Sequence, residues 1–214
     1  MTLTRAWILV GLQFLIVSVI GFRIIGAPLL GEDFLKATPP NFLFAGTLGL
    51  ISCLGLVWFG SVKQPKRTWR EAGWHTDNLL VNIALGLAGT AFCVAFTYVV
   101  LRIVGMPHEE FVTGIVSPNL TERALYTLIG IQAAFGEETL FRGNLQGELA
   151  KRMKLPWAIL ITAVVFAVYH LSRPLGLLNK TFLSITYSAL RWKTGSLVAP
   201  AVTHGMYWVV MGMM

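Results

Sequence analysis

Apolar residues gather in seven blocks separated by short polar segments. The blocks cover about 6–25, 42–61, 78–104, 123–147, 156–172, 175–193 and 195–213. Roughly 20 apolar residues in a helix cross a hydrocarbon core of about 30 Å. The pattern therefore predicts an all-α, polytopic membrane protein with about seven transmembrane helices, forming a single membrane domain over residues 1–214. The sixth block is interrupted by Asn179 and Lys180, which predicts a helix that starts late or is partly re-entrant.

Loop charge orients the helices. Arg5 precedes the first block; Lys63, Lys66, Arg67 and Arg70 follow the second; Lys151, Arg152 and Lys154 follow the fourth; Arg191 and Lys193 follow the sixth. The alternate loops hold Glu32, Asp33, Glu109 and Glu110, with only isolated cations at Lys36 and Arg173. All basic groups fall on one side if the amino terminus is cytoplasmic and the carboxy terminus is not. The start, Met1 to Arg5 before a long apolar run, resembles a signal peptide, but no small-residue cleavage site follows. It is read as the first span.

Small residues at Gly86 and Thr90, Gly89 and Cys93, and Gly130 and Ala134 have helix-packing spacing. Trp69 and Trp74, flanking Gly73, are expected to mark the membrane interface. Asn119 or Thr121 is expected to cap the fourth helix, with Glu122 in its first turn.

Composition agrees with the pattern. Apolar types make up 55% of the 214 residues and charged types 13%, against roughly 25% charged in a soluble domain. Mean hydropathy is +0.67. The net charge of +7 sits in loop blocks beside an anionic leaflet, not on a nucleic-acid-binding face. Cys53 and Cys93 lie in apolar runs without metal-ligand spacing and are expected to be buried, unpaired thiols.

Some polar groups have no such explanation. Ala134 to Gly147 reads AFGEETLFRGNLQG and puts Glu137, Glu138 and Arg142 inside a span. Charge at that depth costs roughly 2.5–3.5 kcal/mol per group on insertion scales. Adjacent glutamates project about 100° apart around a helix. Glu138 and Arg142, four apart, share a face and can pair, which would serve packing as well as chemistry. Glu137 is left without a local cation. His170 ends the fifth block and His204 lies within the seventh. At about 1.5 Å per residue, Glu137 and His170 stand about 22 Å above Arg152 and Leu155, and His204 about 16 Å above Lys193. The three can share one depth.

Glutamate and histidine in a dry pocket suit amide hydrolysis, which needs a base for water and donors for the oxyanion. No nucleophile elbow and no Cys/His pairing supports covalent catalysis. Zinc on His170, His204 and a glutamate is chemically feasible, but no H-E-x-x-H pair accompanies it.

Three motifs carry a resemblance. They are E-E-x-x-x-R from Glu137 to Arg142, F-x-x-x-H from Phe166 to His170, and a last-span motif starting at His204. In their order and spacing, residues 120–214 resemble the CAAX protease and bacteriocin-processing family, which includes the type II CAAX prenyl endopeptidases. Thr194 to Leu197 fits the same likeness, and Trp69 to Gly73 does so more loosely. The resemblance implies an intramembrane glutamate endopeptidase, with its pocket between the fourth, fifth and seventh spans. Glu137 and His170 would activate water, Glu138, Arg142 and Phe166 would support the site, and His204 would stabilise the oxyanion. The implied substrate is a membrane-anchored or lipidated peptide or protein. Members are often described as metalloproteases, but the type II enzymes look glutamate-dependent, so no cofactor is expected, with zinc on Glu137, His170 and His204 as the alternative. One position departs from the pattern: Trp208 stands where the family usually has Asn or Asp, and indole donates one hydrogen bond but accepts none.

Two other classes use such residues. A non-proteolytic, partner-binding membrane protein on the same fold would tolerate Trp208. A proton-coupled transporter would use buried Glu and His, but internal repeats and paired broken helices are not evident.

Overall fold

The computed structural model describes residues 1–16, 47–49, 51–63, 66–106, 120–170 and 174–213. Among these residues there are helices and no strands. We number them α1 (Leu3–Phe14), α2 (Leu56–Lys63, π-wound), α3 (Leu79–Val104), α4 (Leu120–Glu137), α5 (Leu155–Tyr169), α6 (Pro174–Thr194) and α7 (Val198–Met213). A π-helical stretch, Glu138–Gln146, extends α4 and runs into the short turn Gly147–Leu149. The expected ends of the first span and start of the second, the acidic loop residues, Arg173 and the Asn119 cap lie outside the described residues.

Local chemistry sets the helix boundaries. Thr2 caps α1 by accepting from the Arg5 N–H at 3.3 Å. Gly105, at φ +67°, ends α3 in the left-handed conformation, its N–H donating to the Leu101 carbonyl. Pro156 sits in the first turn of α5, where its missing N–H costs nothing. Pro174 opens α6, which runs unbroken through Asn179 and Lys180. The expected interruption does not occur, because the Asn179 amide is buried and satisfied by Tyr207 and Thr97.

By length and apolarity, α3 is the one described helix able to cross a membrane by itself, while α1 and α5 are shorter apolar helices. Helix α7 is the hub and packs on α3, α4 and α6; α5 packs on α6 and on the π-helical stretch, which also meets α1. The small residues work as expected, as close-approach points. A Cβ on Gly86 would meet Val202, and one on Gly130 would meet Trp208. Thr203 Oγ1 donates to the Gly86 carbonyl at 2.9 Å, tying α7 to α3. Both cysteines are buried and unpaired.

The basic segment after α2 folds back under the bundle. The Trp74 ring stacks on Phe135 at 5.0 Å, and its Nε1 donates to Thr139 Oγ1 at 2.8 Å. Trp69 packs on the same phenyl ring. These tryptophans dock helix α4, a role beyond the interfacial one expected, because Phe135 and Thr139 offer them both a ring and an acceptor. Arg67 donates to Asn144 at 3.2 Å, and the Leu197 N–H donates to the Gly73 carbonyl at 2.8 Å. Residues 66–77 thus meet the turn between α6 and α7, so these basic groups share one end. Nearby, burial of Glu148 opposes its ionisation, but hydrogen bonds from Lys151 (2.6 Å) and Arg152 (3.1 Å) outweigh it. They hold the carboxyl below the ordinary carboxylate range.

Candidate active site

Glu137 and Glu138 fall where α4 passes from α to π winding. Such wide turns are rare and recur at functional sites. Their carboxylates have different neighbours. Glu138 is fully buried, and its Oε1 accepts from Arg142 Nη1 at 3.2 Å and from His204 Nδ1 at 2.8 Å. Arg142, also fully buried, donates through Nη2 to Ser184 Oγ at 2.5 Å and to the Ser184 carbonyl at 3.3 Å. The guanidinium lies 4.4 Å from the Phe166 ring centroid and 5.1 Å from that of Tyr187. The charge pair expected from the sequence is present, and it also orients a histidine from another helix.

Glu137 faces the two histidines. His170 Nε2 lies 3.6 Å from Glu137 Oε2, and His204 Nε2 lies 4.0 Å from the same oxygen. That oxygen is buried and has no hydrogen-bond partner among the described residues. Each ring is anchored by its other nitrogen. His170 Nδ1 donates to the Phe166 carbonyl at 2.7 Å, its own helix's last turn supplying the acceptor. A carbonyl can only accept, so the neutral His170 ring presents an unprotonated Nε2 to Glu137. With Glu137 ionised, both atoms accept, and the pair can take a donor such as water, which has two O–H groups.

Aromatic packing fixes the rings. Phe166 lies 4.5 Å from His170 and 5.8 Å from His204, and Tyr187 stacks on His204 at 4.8 Å and 21°. Glu137, Glu138, Arg142, Phe166, His170 and His204 therefore converge from α4, its π-helical extension, α5 and α7. Trp208, one turn past His204, packs on Gly130 and lies beneath Lys180, whose Nζ is 5.7 Å from its ring centroid.

Helix α6 contributes more than the sequence reading assigned it. Ser184 and Tyr187 complete the Arg142 and His204 surroundings, and Lys180 stands beside Trp208. A signal was present: Asn179, Ser184, Tyr187 and Ser188 repeat at helical spacing and share the buried face of α6. Such a polar stripe in an apolar block points inward.

Among the described residues, no three His, Cys, Asp or Glu side chains are arranged to hold a metal ion.

No curated protein and no solved structure gives a significant match to the chain. One family model matches, and it covers the part of the chain that builds the site. From residue 119 to residue 210, the stretch that holds Glu137, Glu138, Arg142, Phe166, His170 and His204, the chain matches the family described as Type II CAAX prenyl endopeptidase Rce1-like.

Proposed function

We infer that the protein is an intramembrane endopeptidase that hydrolyses a peptide bond in a membrane-associated or lipidated substrate. The observation that carries this reading is the single buried oxygen of Glu137 faced by Nε2 of both His170 and His204. A water held between Glu137 and His170 donates to both and turns a lone pair toward a substrate carbonyl. As its oxygen adds to the carbonyl carbon, Glu137 takes the proton, and His204 Nε2 stands beside the oxygen that gains charge. Collapse breaks the C–N bond, and the leaving amine takes the proton from Glu137. Glu138 and Arg142 hold His204 in place.

The multi-span reading has its own support. Large apolar side chains point outward, including Leu80 (81% exposed), Ile103 (79%) and Trp157 (59%). The polar residues Glu138, Arg142, Asn144 and Ser184 are fully buried. This inverts the pattern of a water-soluble bundle and suits lipid. We place the basic end, with residues 66–77, in the cytoplasm and the amino terminus on the same side.

Comparison of protein termini in membranes from cells carrying wild type, E137Q or H170A tests the hydrolase reading. New termini are expected with wild type only, at equal protein abundance. Equal termini in wild type and E137Q would sink the mechanism and favour partner binding without cleavage. Loss of wild-type cleavage on treatment with a zinc chelator, restored by zinc, would favour the metal alternative.

A further inference from the structure

Lys180 lies inside the helical bundle, partly buried, on a helix that the site otherwise uses for Ser184 and Tyr187. It stands one helical turn before Ser184, the partner of Arg142, and over Trp208, one turn after His204, yet the ammonium forms no contact ion pair with Glu137 or His170. Among the described residues its one direct partner is the face of Trp208, 5.7 Å from the ring centroid. A cation at this depth with no ion partner among the described residues is costly, and it marks a working position by default. A cation–π contact orients the ammonium through its charge and leaves all three N–H donors unspent. The preceding residue, Asn179, is fixed by hydrogen bonds with Thr97 (2.9 Å) and Tyr207 (3.2 Å), so this turn of α6 is held.

The chemistry at Glu137 has a need that Lys180 meets. His204 spends its Nδ1 proton on Glu138, so it donates from Nε2 only as a doubly protonated ring. Its counter-charge on Glu138 is already shared with Arg142. An ammonium donates in its ordinary state. We propose that Lys180, aimed by the face of Trp208, stabilises the oxyanion together with His204. The role rests on the hydrolase reading above. As water adds to the carbonyl carbon, the C=O π pair moves onto oxygen, and the ammonium hydrogen-bonds that oxygen without giving up its proton.

The test compares wild type, E137Q, K180M and K180R for the rate at which Glu137-dependent termini accumulate in membranes, and for melting temperature in detergent. Loss of one oxyanion donor costs roughly 100-fold to 1,000-fold in turnover. K180M is expected to fall by that factor, with K180R retaining part of the rate. K180M should melt at or above wild type, because an apolar chain of similar length replaces a partly buried cation and can still pack on Trp208. A K180M rate near that of wild type, with E137Q inactive, overturns the role of Lys180 alone. A lost rate together with a lowered melting temperature makes Lys180 structural and also overturns it. Absence of any Glu137-dependent terminus in wild type overturns the hydrolase reading, and this role with it.

Discussion

Two neighbouring glutamates, identical in chemistry, separate by what the other helices bring to them. Glu138 is neutralised by Arg142 and bonded to His204, and every one of these groups is buried. Removing its charge leaves the guanidinium uncompensated. E138Q is therefore expected to lose about 3–5 kcal/mol of stability. Glu137 has no such partner among the described residues, and the amide in E137Q fills the same space, so stability should stay within about 1 kcal/mol of wild type. Denaturation of both variants in detergent decides the matter. If E138Q is as stable as wild type, Glu138 and Arg142 do not form the structural pair described. The sequence made the pairing of Glu138 and Arg142 legible, since four residues is one helical turn. It could not show that His204 shares the same oxygen, because that contact joins residues 66 apart.

At the scale of elements, helix α7 positions His204 and depends on small residues in its neighbours. A Cβ on Gly89 would meet Thr203 Oγ1 at 2.7 Å and Leu190 Cδ1 at 2.8 Å. Thr203 is bonded to α3 and precedes His204, so it has little freedom to give way. G89A is expected to cost about 1–3 kcal/mol by overpacking. A shift of His204 by about 1 Å would reduce cleavage by about 10²-fold. G11A is the control, since among the described residues nothing lies within 4 Å of a Cβ there. Wild-type melting and cleavage in G89A would show that α7 does not need this close approach. The small-residue spacing in α3 and α4 was readable in the sequence. Which helix each glycine faces was not, because spacing fixes a face but not the partner.

For the whole molecule, the basic segment at 66–77 touches Asn144 and the turn before α7. The cytoplasmic end proposed above predicts that single cysteines at the exposed positions Arg70, Lys151 and Lys193 react with an impermeant maleimide from one side. They should label together in inverted membrane vesicles and stay unlabelled in sealed right-side-out ones. Opposite accessibility of any one position would overturn the proposed seven-span topology.

The sequence by itself determined the helical class and the charge asymmetry, and it singled out Glu137, Glu138, Arg142, Phe166, His170 and His204 as candidates, which the fold brings together. It could do so because apolar periodicity and misplaced charge are local signals. Tertiary structure alone decided that Glu138 orients His204, that Tyr187 stacks on that ring, and that Lys180 stands over Trp208. Those contacts join helices whose relative rotation is set by packing of small residues and rings, and no single stretch of sequence records that rotation.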